Sequence, residues 1–122
     1  MSCTPDEPEL NLLIKQGTSW GWSWEVLDPN TGDPMDLTDW TVRGQVRESL
    51  SSTSVLYEWD SELTPVANAV VSLGKVEILV TPAESRAWVW TSGRYDIELT
   101  NPVGKVVRIS QGSVRVSREV TR

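Results

Sequence analysis

A chain of 122 residues, 39% hydrophobic and 23% charged, has the length and composition of one globular domain, and no apolar run approaches the roughly 20 residues that a membrane-spanning helix needs. It contains no histidine and a single cysteine, so Ser-His-Asp, Cys-His and zinc-histidine chemistries are excluded, as is an internal disulfide. The net charge of −6 argues against a nucleic-acid backbone as ligand, and it is unevenly spread: residues 1–61 carry 3 basic and 11 acidic side chains, residues 62–122 carry 8 and 6.

Taken in chain order, residues 1–9 (MSCTPDEPE) form a polar, proline-containing segment with no signal-peptide pattern, which predicts a flexible arm on a protein made in the cytoplasm. Cys3 lies in this arm as a spare thiol. One domain is expected over residues 10–122. Its first strands are predicted at Leu10–Ile14 and Ser19–Leu27. The stretch Asp28–Pro34 follows, with Pro, Asn and Gly at the positions that a hairpin connection requires. Trp40, Val42 and Val46 alternate with Thr41, Arg43, Gln45 and Arg47, the pattern of a half-buried strand. After a polar loop at Ser49–Ser54, Val55–Trp59 is the next strand, and Ser61–Leu73 reads as a long irregular loop in which Ala67–Val71 forms a turn of helix or a packed lid.

Val76, Ile78 and Val80 again alternate with Lys75, Glu77 and Leu79. Thr81-Pro-Ala-Glu84 breaks the period with a hydroxyl N-cap, proline at the first helical position and glutamate at the third, a capping box that predicts a short helix over 82–88. Trp88 and Trp90 are expected to close that end of the domain. Tyr95, Ile97 and Leu99 form the next inward face, opposite Arg94, Asp96 and Glu98, and Asn101–Gly104 turns the chain into Lys105–Ile109 and Ser113–Val120. Seven to nine short strands with one short helix predict an all-β, antiparallel sandwich or barrel.

No constellation of residues reads as catalytic, metal-binding or cofactor-binding. The aspartates of 28–39 resemble a calcium loop only superficially, because Asp33 stands where that loop needs glycine and Pro34 where it needs a backbone ligand. Asp36 and Thr38 read as local hydrogen-bonding partners where a strand begins. Asp96 and Glu98 share a strand face as a glycosidase pair could, but alternating outward charges on any strand look the same.

Trp20, Trp22 and Trp24 occupy every second position of one strand. Three exposed indoles of about 200 Å² each would exceed the usual apolar patch of a monomer, whereas their burial is worth on the order of 15 kcal/mol gross. The stripe is therefore expected to be core, together with Trp40, Val42, Val46, Val76, Ile78, Val80, Tyr95, Ile97 and Leu99. A carbohydrate-stacking platform is the alternative.

The order of Leu13–Trp20, Gly32–Val42, Gln45–Arg47, Thr81–Ser85, Gly93–Ile97, Gly104–Ile109, Gly112–Val116 and Val120-Thr121 resembles the small immunoglobulin-like β-sandwich proteins of tailed-bacteriophage structural modules, similar to the amino-terminal domain of upper baseplate proteins. Asp39 stands where that resemblance leads one to expect glycine. The resemblance implies a noncatalytic virion protein of the tail, baseplate or head, present in several copies and bound to other virion subunits. A capsid decoration protein and a carbohydrate-binding module are the alternatives, and neither nucleic acid nor membrane is an expected partner. The expected contacts are Asp6, Glu7 and Glu9 in the arm and Arg115, Arg118 and Arg122 near the other terminus.

Overall fold

The computed structural model describes residues 9–63 and 67–120. Its elements are β1 (Leu12–Lys15), β2 (Trp20–Glu25), β3 (Thr41–Arg47), β4 (Val55–Asp60), β5 (Ala69–Ser72), β6 (Lys75–Val80), α1 (Pro82–Arg86), β7 (Ser92–Thr100) and β8 (Val106–Ser117). Five strands form one sheet in the order β1-β8-β7-β3-β4, and three form the other in the order β2-β6-β5. All pairings are antiparallel except β1 with β8. With β8, β7, β3 and β4 in the places of G, F, C and C′, and β2, β6 and β5 in those of B, E and D, the protein is an all-β, immunoglobulin-like sandwich with one short helix.

Period-two alternation builds the core. Val42, Val46, Val76, Ile78, Val80, Tyr95, Ile97 and Leu99 are buried as their spacing requires, joined by Leu12, Ile14 and Val114. The largest fully buried side chain is Trp59 of β4. It stands opposite Gly44 of β3, where an added Cβ would meet Ile97 Cδ1, lie 2.9 Å from the Asp96 carbonyl and 3.3 Å from Trp59 Cε3. The glycine leaves room for the neighbouring strand's indole to lie across it. The Trp59 Nε1–H donates to the Leu79 carbonyl at 3.2 Å, a hydrogen bond from one sheet to the other.

The helix is the one that the capping box predicts, ending two residues earlier. Thr81 accepts from the Glu84 amide, and Glu84 accepts from the Thr81 amide. The second Glu84 oxygen accepts from Tyr57 Oη at 2.9 Å, which ties the cap to β4. Buried Ser85 accepts from the Gly17 amide, and buried Gln16 donates to the Ser85 carbonyl, so the β1–β2 turn is fastened to the helix by satisfied polar groups. Tyr57 meets Trp88 edge-on and Trp88 lies tilted against Trp90, with centroids 5.0 and 4.5 Å apart, and the three close this end of the sandwich.

Four expectations need correction. Trp22 is 42% exposed, and Trp20, Trp24 and Trp40 are only half-buried against the core. Trp20, Trp22 and Trp24 do lie opposite Val80, Ile78 and Val76, but β2 is an edge strand with no neighbour among the described residues on its other side to cover its rings. Residues Ala69–Ser72, expected as helix or lid, form edge strand β5. The two last predicted strands are one, β8, with a register shift opposite Ile97 and Glu98. The turn at 28–34 is closed by a bridge between Leu27 and Pro34, yet it leads from one sheet to the other rather than joining paired strands.

Asp39 has φ 65° and is the single non-glycine residue with positive φ among those described. The position that the resemblance assigns to glycine thus keeps a glycine-like backbone, in a conformation that aspartate tolerates better than branched residues. Asp39→Val is expected to destabilise the domain by about 1–2 kcal/mol and Asp39→Gly to leave it unchanged or slightly more stable, as read from urea unfolding midpoints. Trp59→Ala is expected to cost about 3–5 kcal/mol in the same assay, the range for truncating a buried aromatic.

Candidate protein-interaction face

The strand alternation that fills the core leaves a second pattern outside. Arg43, Gln45 and Arg47 of β3 face away from the core, in register with Glu98, Asp96 and Arg94 of β7. Asp60 and Glu58 of β4 stand beside Arg43 and Gln45, and Arg108 of β8 stands opposite Glu98. Four adjacent strands therefore present one interleaved field of arginine and carboxylate.

Its geometry is specific. Arg43 donates to Glu58 at 2.6 Å and reaches Asp60 at 3.9 Å. Arg94 donates to Glu9 at 2.7 Å, and Arg108 lies 3.7 Å from Asp96. Arg47 donates to Gln45 Oε1 at 2.8 Å through one terminal nitrogen and to the Ser52 carbonyl at 2.8 Å through the other, which fastens the β3–β4 loop over the sheet. That loop and the arginines enclose a shallow groove of about 330 Å³, with Arg43, Arg47, Arg94 and Arg108 among its lining and the 84%-exposed Leu50 at its rim.

The electrostatics follow from these pairs. The hydrogen bond and charge of Arg94 hold the Glu9 carboxyl below the usual carboxylate range. The hydrogen bond from Arg43 does the same for Glu58 against the opposing effect of burial, and Glu58 raises Arg43 in return. Tyr95, under the same sheet, is raised by burial while its hydroxyl donates to the Leu10 carbonyl at 2.6 Å.

The arrangement suits recognition: planar guanidinium forks held in fixed positions, with carboxylates between them. Asp96 and Glu98 both line this groove, and each faces an arginine of a neighbouring strand. Asp28 accepts from the Asn30 amide, and Asp36 from both the amide and hydroxyl of Thr38, so these two aspartates act in local turns. Among the described residues no group of three or more Cys, Asp or Glu side chains is placed to hold a metal ion.

Of the contacts expected from the sequence, Glu9 lies beside the groove of this face, paired with Arg94. Asp6, Glu7 and Arg122 lie outside the described residues. Arg115 is exposed on the same outward side of β8, opposite Ser92 and outside the groove, and Arg118 donates to the Val89 carbonyl at the helix end of the sandwich, so the structure does not gather them with Glu9. The arginine field itself was missed as a unit. The alternation in β3 and β7 was visible, but the pairing that sets them side by side was not.

Trp22, with Gly21, Ser23 and Glu77, borders a separate depression of about 300 Å³ on the small sheet.

No protein-family model matches the chain, and no curated protein matches it. Among solved structures it is similar to the immunoglobulin-like domain of mouse leukocyte-associated immunoglobulin-like receptor 1, solved as a strand-swapped dimer, at 17% identity over 95% of this chain and 94% of that one, with a TM-score of 0.47. It is also similar to a chain of the ZIG-8–RIG-5 IG1–IG1 heterodimer, at 13% identity over 95% of this chain and 89% of that one, with a TM-score of 0.49.

The ion pairs predict a pH dependence with a definite sign. A carboxylate held below its ordinary value of 4.5 contributes stability above that pH and loses it as pH falls through the folded value. Carboxyl-carbon NMR titration is expected to place both Glu9 and Glu58 below 4.5, with Arg94→Gln returning Glu9 toward that value and Arg43→Gln returning Glu58. With Glu58 38% and Arg43 60% exposed, that pair is worth under about 1 kcal/mol.

Proposed function

We propose that the protein is a noncatalytic virion structural protein of a tailed bacteriophage, an accessory sandwich of the tail, baseplate or head that binds neighbouring subunits through the charged face of its five-stranded sheet. The single observation that carries the binding surface is the interleaving of Arg43, Arg94 and Arg108 with Glu58, Asp60, Asp96 and Glu98 across four adjacent strands. The ordered motifs from Leu13 to Thr121 support the virion context. A face of alternating sign selects partners by register and excludes like charge, which suits a subunit used in several copies.

On this reading the protein is made in the host cytoplasm and resides in the particle. A capsid decoration protein would use the same face against the shell, and copy number separates the two: hundreds per particle mark the head, a few tens or fewer the tail or baseplate. The carbohydrate-binding alternative is favoured by Trp22, a residue 42% exposed beside Ser23 and Glu77. It requires soluble glycans to protect Trp22 from acrylamide quenching.

The double change Arg43→Glu with Arg108→Glu tests the proposed face. The variant is expected to stay folded, because surface pairs each contribute about 0–1 kcal/mol, while its incorporation into purified particles falls at least about tenfold, the equivalent of about 1.4 kcal/mol. Unchanged incorporation by the folded variant would remove the face from the mechanism.

A further inference from the structure

An exposed sheet edge is a row of unpaired amides and carbonyls, and soluble proteins blunt it with short strands, bulges, proline or charge. Three of the four edge strands are blunted in this way. β1 and β5 have four residues each, and β4 carries Glu58 and Asp60 and a register shift against β3. β2 is different. Its six residues, Trp20–Glu25, run in unbroken register with β6, include no proline or lysine, and carry a single charge, Glu25, at the end and opposite Lys75.

The register fixes which groups this edge presents. In an antiparallel ladder the N–H and C=O of one residue point to the same side, and residues two apart point alike. The Leu79 amide donates to the Asn68 carbonyl on the β5 side of β6, and the Val26 amide, continuing β2, donates to the Gly74 carbonyl that leads into β6. Trp20, Trp22 and Trp24 therefore direct their amides at β6. Gly21, Ser23 and Glu25 turn theirs outward, where no strand of the described residues lies. On the same edge Trp22, although opposite the fully buried Ile78, is 42% exposed.

A second copy of the same strand fits that edge. About a two-fold axis through Ser23, β2 pairs antiparallel with itself: Ser23 meets Ser23 and Gly21 meets Glu25 in hydrogen-bonded pairs, about six backbone bonds in all. Trp22 then stands opposite Trp24, and Trp20 opposite Val26, in the non-hydrogen-bonded pairs whose side chains approach closest. A slip of two residues sets Val26 against Thr18 in one direction and Trp20 against Asp28 in the other, so the apolar pattern selects one register. In that register Glu25 faces glycine rather than a like charge.

We propose that the protein forms a two-fold dimer in which β2 joins β2 of a second copy and the two three-stranded sheets become one, with Trp22 and Trp24 of both copies along the seam. A strand of six residues is about 20 Å long, which puts the contact at the lower end of specific interface sizes and the affinity in the micromolar range. Each copy has a net charge of −6. Salt screens that repulsion and tightens this dimer, whereas it loosens any pairing through the arginine–carboxylate face. The small sheet is separate from that face, so the dimer stands or falls whatever binds the large sheet.

Sedimentation equilibrium of the full chain from about 5 to 500 µM brackets the affinity. The average mass is expected to rise from one copy toward two, and the dissociation constant to fall several-fold on adding salt to about 0.5 M. In ¹⁵N spectra the amides that shift with concentration are expected to be those of Gly21, Ser23 and Glu25, while those of Gln45 and Asp96 stay fixed. Ser23→Pro removes an amide that β6 does not use, and Ser23→Glu sets a carboxylate opposite itself across the axis. Each should keep the β6 shifts of the folded chain and weaken the dimer at least about tenfold. Val103→Glu adds the same charge at an 89%-exposed turn position and should change the constant less than about twofold. A chain that stays monomeric at the highest concentration, or a dimer that salt loosens, overturns the proposal. So does a dimer whose shifts fall on β3 and β7, that a folded Ser23 variant leaves intact, or that Val103→Glu weakens as much.

Discussion

Trp59 is the contact on which the sandwich turns. It leaves β4, crosses the slot that Gly44 provides in β3, fills the centre of the core and donates its indole proton to Leu79 on the opposite sheet. Antibody-type sandwiches join their sheets with a disulfide against a tryptophan of strand C. Here the lone cysteine is at position 3, ahead of β1, and the strand C position nearest the centre is the glycine. The inter-sheet link is thus a hydrogen bond from a fully buried side chain, supported by the burial of an indole worth about 5 kcal/mol gross. That is a large share of what a small domain retains after conformational entropy is charged against it.

Because the inner faces settle stability, the outer face of the large sheet is free to be charged. Exposed pairs such as Arg43–Glu58 and Arg94–Glu9 add little to folding. Their fixed spacing is informative instead. A ladder of strands about 4.8 Å apart converts the period-two alternation of each sequence segment into a two-dimensional pattern of charge. A partner can read that pattern in one register only, and salt weakens the reading more than it weakens the fold.

The inner faces of β3, β6 and β7 and the capped helix are legible in the sequence because each depends on residues within one short segment. The Thr81–Glu84 capping box is local in this sense, and so is the turn chemistry of Asp36 and Thr38. The role of Trp59 depends on a residue 15 positions away in sequence, yet Gly44, set between Val42 and Val46 on an otherwise apolar inner face, was a signal that another group approaches closely there. The arginine field was hidden for a related reason, since it exists only once β4, β3, β7 and β8 are set side by side. Area reasoning misjudged Trp22 because it treats burial as a property of a face, whereas an edge strand has the correct face and too few neighbours to cover it.

That edge follows from a choice made at the start of the chain. β1 pairs with β8 rather than β2, so the large sheet gains a fifth strand and the small one keeps an open side. Leu12 and Ile14 face inward from β1 and are buried, which closes the rim only along the length that β1 covers. Gly112 permits the approach, since a Cβ there would collide with the Leu10 carbonyl, the same carbonyl that accepts from Tyr95. The chain is thereby fixed beside the charged face at Glu9, whose carboxylate meets Arg94. One pairing decision thus leaves Trp22 partly bare and sets Glu9 against Arg94 at the edge of the charged face.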